Sequence, residues 1–429
     1  MKKLIVISLI TALLLCGCAA NPNFTPEYPT ISPTEPSDPE QVLAYRRDVV
    51  EAAMREQSAI LWTPAETFTY SRRNNSQGVA ADTIETPDDV FTFHKGRIYQ
   101  GIPYTHGSGS YYSWLSFATK QDKNGVYTMT GLTDQHMTGK SSNRVNLCAR
   151  IGNDCADQLF WAWGRISNSI SFQGTNSMTE FYGVQKVGDY EYTGTAFSGD
   201  NNTKDIVARN GDQRMFAAYA LLQKGDGMVL VNRQGAGHAV MVVTTEVVYA
   251  EDGTIDGEKS FVTVLEQTSG CERDQESYFN EEIGKEVYPC EIMDKAWSYN
   301  ELIKKAYLPV TCRELVDPAP RPEPKITDYT DTPTLDNLFG GVVEANYRIS
   351  SITVTITQDG KTVQQATCYG HQEEMYKFNL YRFTNAVEQT VMQGVIDKDA
   401  LEPGSYHCSV TARLSTGDDL EFRSFEFHK

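Results

Sequence analysis

Past its first fifteen residues the chain lacks any apolar run long enough to cross a bilayer. It is also short of positive charge: 38 Lys and Arg stand against 56 Asp and Glu, a formal net charge of −18. That balance argues against a nucleic-acid partner, because a polyanion would be repelled instead of trading its counterions for basic side chains. No C-x-x-C pair occurs and the seven histidines are dispersed, so zinc-ligand spacing is absent and nothing calls for a metal or another cofactor. What is present is a chain of 429 residues, too long for one ordinary domain and suited to two with tethers. Hydrophobic residues at 40% are enough for real cores, and 23 tyrosines fit an extracellular, strand-rich protein.

The stretch around which the rest is organised runs from Gly152 to Gly164. It sets one cysteine, Cys155, directly after a polar, glycine-bearing turn and before a strongly apolar run. Asn153 and Asp154 are good helix N-caps, and Leu159, Ala162, Trp163 and Ile166 recur at three and four, so a buried helix is expected. A thiol in the first turn of a helix faces the positive end of the macrodipole, which favours the reactive thiolate. The plainer alternative makes Cys155 a small buried hydrophobe or half of a disulfide.

At the N-terminus, Met1-Lys2-Lys3 and the apolar residues Leu4 to Leu15 read as a signal peptide and not as a membrane span. The segment ends in Leu15-Cys16-Gly17-Cys18-Ala19, which resembles the lipobox of bacterial lipoproteins. The resemblance implies a signal over residues 1–18, lipidation at Cys18 and an extracytoplasmic protein anchored to a bacterial membrane by several acyl chains. Residues 19–38, with five prolines between Asn21 and Asp38, read as an extended tether. Ser37-Asp38-Pro39-Glu40 then opens a helix whose apolar face is Val42, Tyr45, Val49 and Ala52.

Downstream of the cysteine, Lys224-Gly225-Asp226-Gly227 turns into a short strand, and His238 to Val243 is an apolar strand that begins at a histidine. Glu251-Asp252-Gly253 reverses the chain into Phe261 to Gln267, so an antiparallel hairpin is expected that brings residues 266 to 270 opposite His238. Strict alternation would put Val262, Val264 and Glu266 on one face, and Leu265 and Gln267 on the other. The chain thus offers a thiol at a helix start, an imidazole on a strand, and a carboxylate or amide to orient that imidazole. Trp297 to Tyr307 reads as a short helix leading into a strand at Leu308 that closes the domain, with no chemistry assigned.

Gly101-x-Pro103-Tyr104, Asp154-Cys155, Lys224-Gly225-Asp226 and Gly237-His238-Ala239-Val240-Met241-Val242 occur in the order found in NlpC-type cell-wall cysteine peptidases, relatives of papain, and the span 95–310 resembles a divergent member. The resemblance implies Cys155 as nucleophile, His238 as base, and Glu266 or Gln267 as the group that orients it. Tyr104 lies near the nucleophile in that family, and Asp154 and Trp161 join it as expected substrate contacts. The sequence departs from the pattern at Ala156-Asp157-Gln158, in place of the usual Ser-Gly-Leu, and in the long separation from Tyr104 to Cys155, which implies an inserted subdomain.

Seven cysteines remain once Cys16 leaves with the signal and Cys18 takes lipid. An odd count in an exported protein predicts one thiol outside disulfides, and Cys155 is the odd one out. Cys368 with Cys408 and Cys271 with Cys290 are expected bridges, which leaves Cys148 to Cys312.

Residues 317–327 carry proline at every second position from Pro318 to Pro324 and read as a stiff spacer. After it, alternating stretches such as Ile352 to Thr357 and Tyr406 to Ala412 imply a β-sandwich over 328–429. Leu401-Glu402-Pro403-Gly404-Ser405-Tyr406 loosely resembles the entry to a late strand in bacterial immunoglobulin-like modules, which bind glycans or proteins or act as spacers. The expected architecture is therefore α+β: a papain-like cysteine peptidase domain over 39–316 and an all-β immunoglobulin-like domain. The leading expectation is hydrolysis of amide bonds in peptidoglycan stem peptides by a monomer. Acyl transfer on the same triad, or a non-catalytic surface lipoprotein that binds glycan or protein, are the alternatives.

Overall fold

A computed structural model describes residues 35–71, 90–104, 114–115, 117–131, 152–170, 174–267, 276–330, 332–369, 376–384 and 392–429. The signal segment, Cys18, residues 19–34 of the tether, Cys148 and Cys271 lie outside the described residues. The described chain is mixed α+β, with five α-helices and five sheets. Among the described residues no helix is long and apolar enough to cross a membrane.

The helix Pro39–Ala59 starts as its entry signals require. The Asp38 carboxylate accepts from the N–H groups of Glu40 at 3.0 Å and Gln41 at 3.1 Å, and proline sits where a missing N–H costs nothing. Val42 and Val49 are buried as expected, but Ala52 is exposed and the buried stripe takes Arg46, Arg47, Val50 and Ala53 instead. The arginines turn inward because main-chain carbonyls receive them. Arg47 donates to the carbonyls of Lys224 at 2.8 Å and Leu315 at 3.0 Å and to the Asp226 carboxylate at 3.0 Å.

The sheet that matters for function is antiparallel throughout, in the order 291–298, 261–267, 237–246, 227–231, 308–312, 184–186. The expected hairpin is there: Phe261 pairs with Glu246 and Leu265 with Met241. The helix Cys155–Trp163 packs on this sheet with all nine residues buried. It comes so close that a Cβ at Gly227 would lie 2.7 Å from the Leu159 side chain. The Gly-Asp turn before that strand is structural. Asp226 holds Arg47 and accepts from Thr311 Oγ1 at 2.6 Å, while the Gly225 carbonyl accepts from the Trp163 indole at 2.8 Å.

A second sheet runs in the order 278–280, 285–289, 98–100, 61–64, 127–129, 118–121. Its last two strands come from the long segment between Tyr104 and Cys155. These described strands extend a sheet that 61–64 and 98–100 begin, over a core of Trp62, Tyr99 and Trp114, and most of the rest of the expected inserted subdomain lies outside the described residues.

Residues 317–327 are not a free spacer. Arg46, fully buried, donates to the carbonyls of Glu314 at 3.0 Å, Asp317 at 2.7 Å and Ala319 at 2.8 Å. Its guanidinium also pairs with Glu35, whose other oxygen takes Arg321 at 2.5 Å. Ile326–Asp328 already forms a strand of the C-terminal unit, in a three-stranded sheet with 342–345 and 377–379. The five-stranded sheet 393–394, 361–369, 349–358, 405–414, 419–428 shares one core with it, built from Val343, Ile352, Val354, Phe378 and Val410. This unit rests on the far end of the Cys155 helix: Ser415 Oγ donates to the Gly164 carbonyl at 2.7 Å, and the Arg348 guanidinium lies 5.7 Å from the centre of the Phe160 ring.

The cysteine pairing departs from expectation. Cys155, Cys312, Cys368 and Cys408 carry buried thiols, while Cys290 is in a disulfide whose partner lies outside the described residues. Cys368 stands opposite Ile352 and Cys408 opposite Ile356, on opposite sides of the strand Ile349–Gln358. Two strand spacings and four residues of offset separate them by roughly 16 Å, far beyond the reach of about 7 Å for a disulfide. The expected Cys148–Cys312 bridge is likewise not formed. An odd count thus does not single out Cys155.

Arg46→Ala removes the donor for three carbonyls and leaves Glu35 and Arg321 to each other. It is expected to destabilise the protein by about 3–5 kcal/mol, read as a lower denaturation midpoint, and to expose residues 317–325 to limited proteolysis.

Candidate active site

Cys155 is the first residue of its helix. The Asp154 carboxylate caps that helix, accepting from the N–H groups of Ala156 at 2.9 Å and Asp157 at 2.8 Å. Asp154, expected as a substrate contact, thus caps and positions the start of the cysteine helix. Among the described residues the N–H of Cys155 itself has no acceptor. The residue before the cap is held by the Gly-x-Pro-Tyr segment: Asn153 N–H donates to the Pro103 carbonyl at 3.1 Å, and Tyr104 forms a parallel bridge with Asn153. This brings Tyr104, half-buried, beside the start of the cysteine helix. Gly101 is required by its φ of +82° and because a Cβ there would meet the Glu291 side chain at 2.7 Å.

His238 enters its strand opposite Leu230, after a glycine whose Cβ would lie 2.2 Å from the Leu230 carbonyl oxygen. Its Nε2 is 2.9 Å from Glu266 Oε1. The Cys155 side chain also lies close enough to the ring to act on its proton. Burial would pull the imidazole down, but the hydrogen bonds and charges of Cys155 and Glu266 outweigh it and push His238 up to about 10. Burial acts to raise Glu266, yet the His238 bond and charge, with lesser help from Lys295 and Lys305, hold it below its ordinary value.

Glu266 reaches His238 because its strand keeps its alternation. The register shifts between Val264 and Glu266 against one neighbour, and between Thr263 and Val264 against the other, but each shift places the extra residue in the neighbouring strand. Val264 pairs with Val242 and Leu265 with Met241, so Glu266 stays on the face of Val262 and Val264, as expected, and that face also carries Val240 and His238. Gln267 points the other way. Fully buried, it donates to the carbonyls of Ile102 at 2.7 Å and Asn153 at 3.3 Å, tying together the two loops that frame Cys155. The third position therefore falls to Glu266, and Gln267 is a clamp.

Trp161, the other expected substrate contact, is buried almost two turns along the helix beneath the Arg165 guanidinium, 4.3 Å from the ring centre. Two residues of the site escaped the sequence reading. Tyr307 is buried next to Glu266 and Cys155: burial first, then those two charges, raise its phenol well above the ordinary value. Glu291 is fully enclosed, accepting from Ile102 N–H at 3.0 Å and from the Gln158 amide, which also donates to Ser58 Oγ at 3.2 Å. Gln158 lies on the cysteine helix, so its place in the departing Ala-Asp-Gln triplet was the available signal. Among the described residues no group of three or more His, Cys, Asp or Glu could hold a metal ion. Compared with known family models and with curated proteins, the chain matches none.

Burial pushes Glu291 up to about 7, so the folded protein holds its proton over a range where the unfolded chain releases it. Its stabilising share is complete below the ordinary 4.5 and is lost as pH rises toward 7. Chemical denaturation across that range should show stability falling by an order of a few kcal/mol in the native chain. Glu291→Gln should flatten the profile.

Proposed function

We propose that the chain is an outward-facing, lipid-anchored cysteine hydrolase that cleaves amide bonds in peptidoglycan stem peptides. Its first unit would be a divergent papain-like, NlpC-type peptidase and its second an immunoglobulin-like module. The observation that carries the reading is the convergence of Cys155, His238 and Glu266, three residues far apart in the chain, in the order nucleophile, base, orienting carboxylate.

The chemistry follows from that order. The Cys155 thiolate adds to the amide carbonyl carbon, and the oxygen takes the negative charge. The N–H of Cys155 is the donor at the helix start that remains to meet it, since those of Ala156 and Asp157 are taken by Asp154. The imidazolium of His238 gives its proton to the departing amine, the carbon–nitrogen bond breaks, and a thioester remains on the enzyme. Water then adds with His238 as base, the carbon–sulfur bond breaks, and the thiolate–imidazolium pair is restored. Glu266 holds the ring through Nε2 and steadies its positive charge throughout. With a net charge of −18 the protein gains nothing from an anionic wall at long range, so substrate capture rests on local contacts.

Purified peptidoglycan digested by the native protein should release fragments with new amino and carboxyl ends, identified by mass. Cys155→Ala should lower their release by at least on the order of a thousandfold. Fragments that persist undiminished in Cys155→Ala, or none from the folded native protein, would contradict the reading. Glu266→Gln should move the alkaline limb of kcat/KM to lower pH, because the carboxylate that helps hold the proton on His238 is gone.

A further inference from the structure

Beyond Glu266, on the side away from Cys155, the edge strand Glu291–Ser298 and the helix Tyr299–Lys305 bring two lysines onto one aromatic ring. The ammonium of Lys295 lies 4.1 Å from the centre of the Trp297 ring and that of Lys305 lies 4.3 Å from it. Among the described residues neither lysine has a carboxylate within ion-pair distance. The carboxylates nearest to them are already engaged. Glu266 is held by His238, and Glu301 accepts from Ser298 N–H at 2.8 Å and Ser298 Oγ at 3.0 Å in a helix capping box. The Trp297 Nε1 is buried there without a partner.

Two like charges gathered on one indole repel each other, and the ring's negative face offsets only part of that. An anion set between them would relieve the remainder. The row Cys155, His238, Glu266, lysine pair also fixes which part of a substrate can reach it. His238 hands its proton to the departing amine, so the leaving segment lies on the imidazole side and continues toward the lysines.

We propose that Lys295, Lys305 and Trp297 form a subsite for a carboxylate on the leaving-group side of the scissile bond, within a residue or two of it. The substrates are then peptides that carry a free carboxylate there. The assignment rests on the hydrolase reading, and it supplies the local attraction that the protein's overall charge denies.

Binding to Cys155→Ala separates the two claims, because nothing is turned over. Two stem-type peptides, identical except for a free carboxylate or its amide beyond the scissile bond, are titrated by calorimetry into Cys155→Ala and into Cys155→Ala carrying Lys295→Met and Lys305→Met. The carboxylate peptide should bind roughly three- to tenfold more tightly to the first, less so at high salt, and the preference should vanish in the second. Lys295→Arg with Lys305→Arg should keep it, which guards against a mere folding defect. Equal binding of both peptides, binding of neither, or a preference that survives the Met substitutions would overturn the subsite. If the preference is present but the native protein cuts neither peptide, the subsite stands and the hydrolase reading falls.

Discussion

One enclosed carboxylate joins the parts on which the site depends. Glu291 follows directly on the strand 285–289 of one sheet and opens the strand 291–298 of the other, so the two sheets meet at this residue. Its oxygens hold the Gly-Ile-Pro loop through the Ile102 N–H and the cysteine helix through Gln158, whose amide in turn reaches Ser58 at the end of the N-terminal helix. Removing one partner of such a buried network costs far more than a surface contact, because the others are left without water or a mate. Gln267 does the same for the opposite wall by spanning Ile102 and Asn153. Cys155 is thus placed by helix cap, loop and sheet together.

The imidazole is placed by a different device. The hairpin register sets His238 diagonal to Glu266, two positions away from being directly opposite, and alternation puts the two side chains on one face of the sheet. There the carboxylate and the sulfur both act on one ring, and together they hold positive charge on it against the opposing effect of burial. Tyr307 is buried close to Glu266 and Cys155, and the lysine pair gathers on Trp297, which lies on the next strand beyond Glu266.

Local signals in the chain were enough to locate much of this. The Asp154 cap, the apolar spacing after Cys155 and the turn at Gly253 each act within a few residues, and helix, hairpin and register follow from them. What could not be read depends on partners distant in sequence. Alternation separates Glu266 from Gln267, but which of the two faces carries His238 depends on the cross-strand register, so they could not be told apart. Arg46 and Arg47 look like solvent-facing charges until the carbonyls that bury them, some 180 to 270 residues on, are in place. For the same reason the proline-rich segment read as a free spacer, and the thiols of Cys368 and Cys408 read as a bridge although a strand separates them.

Clasping of that segment changes the part given to the C-terminal unit. Docked through Ser415 and Arg348 on the end of the cysteine helix, it backs the element that presents the thiol and does not hang apart from it. The central claim remains the row of Cys155, His238 and Glu266. Nitrogen NMR of the His238 ring across a pH series tests it most directly. The account predicts a doubly protonated ring through neutrality that gives up its proton only near pH 10; release near the ordinary histidine value of 6.5 would contradict it.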